Sequence, residues 1–327
     1  MNKRIYLRAD GGPHIGWGHV NRLCALSFIL KDEASLIAVS GASGAAVFRK
    51  NLGNEVLIET LSDEIIGNCK EEWKSVHPDG ALLVLDGYHF DYQYQQEAKK
   101  MGFRVVLIDD FARGPFMADM LINHAPNSRH LYQQTGINYC CGINYALLRP
   151  RFYAKPAPLE RKRRQVLFTL GGADPMDLTA QILKRLLPLH PSLHWMVVYT
   201  DNFSQQHRRQ LNQLSADNAH ITLRHNISES AMRQLMTECS QALVSASTVV
   251  LEAWSCGLFP AVICYTENQR IMYDGMVSEH YAFPIELENL ESDFHNYLES
   301  NQYPKKERDG WNPPLAIRSA FQQIMYA

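Results

Sequence analysis

The sequence predicts an α/β protein built from two consecutive doubly wound halves. Three observations carry that prediction. Short apolar runs alternate with segments of helical spacing from Ile5 to Met101, and the alternation restarts at Val166. Between them, residues 151–164 change character, with Pro156, Pro158 and the cationic run Arg161-Lys162-Arg163-Arg164, and read as a linker with a solvated boundary. At 327 residues the chain is long for one α/β core and comfortable for two. The expected division is a first domain over 1–150, a linker over 151–164, and a second domain over 165–327 that ends in a helical tail.

In the first half, strands are expected at 5–8, 35–39, 56–58, 81–85, 105–108 and 120–122, and helices at 20–31, 44–52, 63–74 and 92–101. Strands alternating with helices give a mainly parallel sheet covered on both faces. In the second half, strands are expected at 166–170, 195–199, 221–223, 242–245 and 260–264. Helices are expected up to Leu186 and at 205–214, 229–238, 248–256 and 269–280. The stretch from Glu286 to Ala327 is helical in pattern, broken at Tyr303-Pro304 and Pro313-Pro314. Such sheets bind ligands beyond the carboxyl ends of their strands, so two halves set face to face would present two ligand-binding edges across a cleft.

Composition narrows the function. The formal net charge of −2 argues against nucleic acid or an anionic membrane as partner. No apolar run approaches the roughly 18–20 residues of a membrane span, and Met1-Asn2-Lys3-Arg4 leads straight into a strand, so neither a transmembrane helix nor a signal peptide is expected. Seven scattered cysteines with no CxxC read as reduced core residues of a cytoplasmic protein.

The most informative motif is Gly16-Trp17-Gly18-His19, between the first strand and the helix stripe that begins at Val20. Glycines there permit a sharp turn and close approach of a ligand. The helix start directs N–H groups and positive dipole outward, and a histidine at that point can move protons near neutral pH. A second glycine turn, Gly171-Gly172-Ala173-Asp174, also follows a strand and opens a helix, a geometry that cradles phosphate. In a third element, Ser245-Ala246-Ser247-Thr248, Ser247 or Thr248 can cap a helix whose N–H groups hold a diphosphate. Glu252, one turn on, can accept the two hydroxyls of a ribose. One helix terminus supplies only about 0.3–2 kcal/mol to an anion, whereas charged hydrogen bonds add about 1.5–3 kcal/mol each. Converging termini therefore suffice for a diphosphate without a metal, and no metal-spaced ligand cluster is seen. Asp86-Gly87-Tyr88-His89 ends another strand, where Tyr88 can contact a sugar and His89 reads as an exposed loop residue. Asp109-Asp110 can either orient a base or cap the next turn. Asn268-Gln269 can hold acetamido or hydroxyl groups, or simply start a helix.

Taken together, these motifs resemble the UDP-2,4-diacetamido-2,4,6-trideoxy-β-L-altropyranose hydrolases of pseudaminic acid biosynthesis. The resemblance runs through Arg8-Ala9-Asp10, Ile15 to His19 with Arg22, Asp86 to Tyr88, Ile108 to Asp110, Cys141 to Arg149, Leu170 to Asp174, Ser245 to Thr248 with Glu252, and Tyr265 to Gln269. It departs from the family at Gly11-Gly12-Pro13-His14, where the family has a smaller or polar lead-in, and in the longer tail after Glu286. It implies two Rossmann-like domains facing each other across a cleft, of the glycosyltransferase-B type. It also implies cleavage of a UDP-sugar by water at the anomeric carbon, with inversion and without metal or cofactor. His19 matches the family's general base. Asp10, Gly18, Tyr88, Asn268 and Gln269 fall on the sugar side, and Gly171, Gly172, Ser247, Thr248 and Glu252 on the UDP side. The alternatives are a transferase with a hydroxyl acceptor, or a silent UDP-sugar-binding protein, which a His19 ring buried against its own helix would favour. The expected partner is the small UDP-sugar substrate, and a monomer is compatible with the sequence.

Overall fold

The computed structural model describes residues 3–12, 15–155, 161–300 and 310–326. The chain forms two compact units, one of Met1–Pro150 with Gly310–Ala327 and one of Arg151–Asp309. The expectation that residues up to 327 finish the second domain is thus corrected, because the last helix returns to the first unit. Among the described residues, no helix is long and apolar enough to cross a membrane.

The first unit has a seven-stranded parallel sheet: β1 (Arg4–Ala9), β2 (Ser35–Gly41), β3 (Leu57–Leu61), β4 (Leu82–Asp86), β5 (Arg104–Ile108), β6 (Met120–Asn123) and β7 (Asn138–Cys141), in the order 3-2-1-4-5-6-7. The chain therefore reverses direction across the sheet between β1 and β4, where Ala9 lies beside Asp86. Such a switch point opens a crevice at the strand ends. The helices are α1 (Gly18–Leu30), α2 (Ala42–Leu52), the short α3 (Cys69–Glu72) and α4 (Tyr92–Lys100). The strands read as nearly continuous apolar runs because both faces are covered. Rings of Tyr6, Trp73 and Phe103 meet edge to face at 5.2–5.7 Å in this core.

Buried within the same core is a charged network. Arg8, with no exposed surface, forks onto Glu72 through two 2.9 Å hydrogen bonds. Tyr94 donates to the same carboxylate at 2.5 Å, Gly67 N–H at 2.7 Å, and Trp73 donates to Tyr94 at 2.8 Å. Every charge there is answered, which is the condition for burying one. The helix expected over 63–74 shrinks to α3, since Gly67 takes a left-handed φ of +82° and Asn68 caps the short helix after it.

The second unit has a six-stranded parallel sheet: β8 (Lys162–Thr169), β9 (His194–Tyr199), β10 (Ile221–His225), β11 (Cys239–Ser245), β12 (Ala261–Ile263) and β13 (Phe283–Ile285), in the order 10-9-8-11-12-13. Its switch point lies between β8 and β11. Helices α5 (Leu178–Leu186), α6 (Gln205–Asp217), α7 (Glu229–Glu238), α8 (Thr248–Ser255), α9 (Arg270–Ser278) and α10 (Leu290–Glu299) complete it. Strands β7 and β13 were not expected, being short and weakly patterned. The expected linker is also shorter than 151–164, since β8 already begins at Lys162. Arg161 is no solvated boundary residue: it donates to the carbonyls of Met236, Cys239 and Cys256 at 2.7–2.9 Å, where α7 and α8 end. Pro156, Pro158 and the expected break at Tyr303-Pro304 lie outside the described residues. None of the seven cysteines is in a disulfide.

The last helix, α11 (Pro313–Tyr326), packs on the first unit. Its Arg318 donates to Ile29 O at 2.9 Å, and Trp311 before it donates to Ile143 O at 3.1 Å. Arg104 returns a hydrogen bond to Ile324 O.

Candidate active site

The first switch point gathers the titratable side chains. Gly16 turns the chain at φ +82°, and Gly12 and Gly16 exchange backbone hydrogen bonds that pinch the loop shut. Helix α1 then starts at Gly18, where an added Cβ would meet nothing within 4 Å, with no side-chain cap over its first N–H groups. Pro13 and His14 lie outside the described residues.

His19, in the first turn of α1, points its Nδ1 at Asp86 Oδ1, 2.6 Å away at the end of β4. Arg22, one turn on, meets the same carboxylate side-on, Nε to Oδ2 at 2.9 Å and Nη2 to Oδ1 at 2.6 Å. Its far edge meets Asp110 end-on, Nη1 to Oδ1 at 2.6 Å and Nη2 to Oδ2 at 2.9 Å. Tyr88 donates to Asp110 at 3.2 Å and sets its ring against His19, centroids 4.7 Å apart at 86°. His19 is only 5% exposed, yet what covers it is Asp86 and the half-exposed Tyr88 rather than its own helix alone. The two acids at the end of β5 divide the roles left open by the sequence. Asp110 takes Arg22, while Asp109 accepts the N–H groups of Phe111 and Ala112 and the Tyr132 hydroxyl, and so caps the turn.

Asp10, expected on the sugar side, is held by its own protein. It is 6% exposed; Arg8 pairs with it at 2.8 Å, Gly41 N–H and Ser40 donate to it at 2.8 and 3.2 Å, and His89 stands 3.3 Å away. His89, read as a plain exposed loop residue, is therefore tied to this carboxylate. Burial opposes the charge on Asp10, but Arg8, His89 and the Gly41 N–H hold its pKa below the ordinary carboxylate range.

Desolvation and charge also shape two neighbours, the half-buried Asp110 and the buried His124. Burial resists ionisation of Asp110, but Arg22 holds it down to about 2. Burial, then Arg22, pushes His124 down to about 4. The unfolded chain binds the His124 proton from about pH 6.5 downward and the folded chain only near 4, so stability falls with pH across that window, on the order of 3 kcal/mol. The Asp110 contribution is full above its ordinary pKa and is lost as pH falls through about 2. Replacing His124 with asparagine is expected to flatten denaturant midpoints between pH 6.5 and 4, and an unchanged slope there would refute the assignment.

At the second switch point, Gly171 takes φ +97°, and a Cβ on it would lie 3.7 and 3.8 Å from the hydroxyls of Ser245 and Ser247. These two hydroxyls are 3.0 Å apart. Ser247 holds the cap position of α8, but its side chain makes no capping hydrogen bond. Ser247 thus leaves the first-turn N–H groups of α8 without a side-chain cap from that position. The glycine turn does not open its helix directly, as the sequence suggested. Helix α5 begins only at Leu178, and Asp174 already fills its N-terminus by accepting Leu178 N–H, Thr179 N–H and the Thr179 hydroxyl. Gly172 is exposed, and its carbonyl accepts from Thr200 and Asn202. Glu252 is 4% exposed on α8.

Asn268 is half-buried in a single helical turn, Glu267–Gln269. Gln269, expected on the sugar side, is buried and accepts the Tyr265 N–H at 3.1 Å, while Tyr265 donates to Leu170 O at 3.0 Å. It holds the β12 exit against the glycine turn. Among the described residues, no three His, Cys, Asp or Glu side chains gather to hold a metal ion.

Two units of this topology define a class. MurG of Acinetobacter baumannii aligns over 99% of this chain and 98% of its own at a TM-score of 0.60 and 14% identity. UDP-GlcNAc 2-epimerase of Neisseria meningitidis, bound to UDP-GlcNAc, aligns over 99% and 100% at 0.61 and 12%. The fold is of the glycosyltransferase-B type. No protein-family model matches the sequence. The chain is 26% identical over 272 residues, 82% of its length and 93% of the relative's, to the UDP-2,4-diacetamido-2,4,6-trideoxy-β-L-altropyranose hydrolase of Campylobacter jejuni. It is 25% identical over 288 residues to an uncharacterized protein of Methanocaldococcus jannaschii, spanning 83% of this chain but 57% of that longer one. The family resemblance read from the motifs thus extends through most of the sequence.

Proposed function

We propose that the protein hydrolyses a UDP-linked diacetamido-trideoxy sugar at the anomeric carbon, releasing UDP and free sugar with inversion, as a step toward a nonulosonic acid of the pseudaminic type. The observation that carries this reading is the His19–Asp86 pair at 2.6 Å, set where the β1/β4 switch point places ligands. The similarity to the Campylobacter hydrolase supports the substrate class.

His19 takes a proton from water through Nε2 as the water oxygen bonds to the anomeric carbon. The bond from that carbon to the diphosphate oxygen breaks, and its electron pair leaves with UDP. Attack opposite the leaving group inverts the centre. Asp86 stabilises the imidazolium that forms. A positioned base of this kind contributes about 10²–10⁴-fold. Tyr88, Gly18 and Asn268 contact the sugar, with Asp10 and Gln269 holding the loops that present them. Gly171, Gly172, Ser247 and Thr248 receive the diphosphate on backbone N–H groups and hydroxyls, and Glu252 accepts the ribose hydroxyls. The α8 terminus and these N–H groups supply the positive potential that a departing diphosphate needs.

The test is incubation with a panel of UDP-diacetamido sugars in ¹⁸O-labelled water, followed by mass analysis of both products. Label on the anomeric oxygen of the sugar is expected. Label confined to UDP would mean cleavage at phosphorus and would discard the mechanism.

A further inference from the structure

The glycine turn of the second unit is held by its carbonyls. Leu170 O accepts the Tyr265 hydroxyl at 3.0 Å, from the exit of β12. Gly172 O accepts the Thr200 hydroxyl at 2.6 Å and the Asn202 side-chain amide at 3.1 Å, from the turn that leaves β9. That second turn is itself braced. The Thr200 hydroxyl accepts the Asn202 N–H at 3.2 Å, and Asp201 is tied to His225 at 2.8 Å and to the Asn226 amide, where β10 ends. Gly172 is exposed, and a Cβ on it would meet nothing within 4 Å. No side-chain packing at Gly172 therefore fixes the peptide that follows it, and a glycine hinge lets that peptide swing. The two donors from the β9 exit hold it still.

A trans peptide carries its C=O and its N–H in opposite directions. With Gly172 O drawn toward the β9 exit, the Ala173 N–H is turned the other way. Strand β8 lies between β9 and β11. The other way is thus toward the β11 exit, where the Ser245 and Ser247 hydroxyls stand 3.7 and 3.8 Å from a Cβ placed on Gly171. Ala173 is half-buried, and among the described residues its N–H meets no acceptor. A backbone donor in that position calls for a partner. We propose that Thr200 and Asn202 are positioning residues for the diphosphate: by holding Gly172 O, they aim the Ala173 N–H at it. They act through the peptide, and the swing that Gly172 permits is the motion they prevent.

The inference rests on the reading that this unit binds UDP. It is tested in the full chain labelled with ¹⁵N-alanine and ¹⁵N-threonine, titrated with UDP and with inorganic pyrophosphate. The Ala173 amide signal is assigned by its loss in Ala173→Gly, and the Thr248 signal, from the start of α8, by its loss in Thr248→Ser. In wild type both signals are expected to move with either probe. In Thr200→Val the Ala173 response is expected to vanish and the Kd for UDP to rise about tenfold, while Thr248 still responds at saturating UDP. Thr200→Ser keeps the hydroxyl and is expected to restore both. Asn202→Ala leaves Thr200 in place and is expected to raise Kd about threefold. A merely structural lesion in Thr200→Val would dull Ala173 and Thr248 together, and that result overturns the proposal. So does an unchanged Ala173 response in Thr200→Val, a Thr200→Ser protein as impaired as Thr200→Val, or a wild-type Kd in Asn202→Ala. A wild-type Ala173 amide that ignores both probes overturns it along with the UDP assignment. Probes that move Ala173 in a protein that hydrolyses no UDP-sugar leave this inference standing and remove the proposed hydrolysis instead.

Discussion

Replacing His19 with asparagine is expected to lower kcat by about 10²–10⁴-fold while UDP affinity stays close to wild type. Asparagine suits the test because its amide N–H can take over the contact with Asp86 that Nδ1 makes at 2.6 Å. The Asp86–Arg22–Asp110 frame then keeps its partners, and only the basic nitrogen is lost. The groups assigned to UDP belong to the second unit, at the ends of β8 and β11 and on α8, whereas His19 belongs to the first. Steady-state UDP release and calorimetric titration with UDP separate the two effects. Wild-type turnover in this variant would dismiss His19 as the base.

The largest expected loss of stability comes from a residue far from any reacting atom. Glu72→Gln leaves Arg8 charged, without exposed surface, and deprived of its forked partner. Breaking a buried pair on one side costs about 3–5 kcal/mol, and the remaining 2.8 Å contact with Asp10 places the loss at the lower end. Tyr94 and Gly67 also lose the anion that they hydrogen bond. A denaturation midpoint followed by circular dichroism checks this, and a loss under about 1 kcal/mol would show that the network is not under charge stress. The double variant Arg8→Met with Glu72→Leu, which removes both charges, is expected to recover part of the loss.

Local signals in the sequence single out His19, where a glycine turn, a strand end and a helix start meet within a few residues, and Ser247, where small hydroxyl residues stand at the end of β11. The Arg22–Asp110 clamp was not legible, because its members are 88 positions apart and become neighbours only when β5 enters the sheet. For the same reason Asp109 and Asp110 could not be told apart: adjacent residues on a strand end point in different directions, one into the turn and one toward Arg22. Asp10 and Gln269 have the right chemistry for a sugar. Whether such a group faces a ligand or its own protein depends on partners such as Arg8 and Tyr265, which no motif specifies. The helical pattern of the tail after Glu286 marked a helix but not the unit against which Ile317, Phe321 and Ile324 are buried.

That last helix imposes an order of assembly. Residues 310–326 complete the amino-terminal lobe, so everything between 151 and 309 must leave the ribosome before that lobe can close its surface around Ile29 and Ile143. The nascent polypeptide meets the reverse of the usual amino-to-carboxyl schedule: residues 151–309 can consolidate while residues 1–150 still wait for a strap translated last.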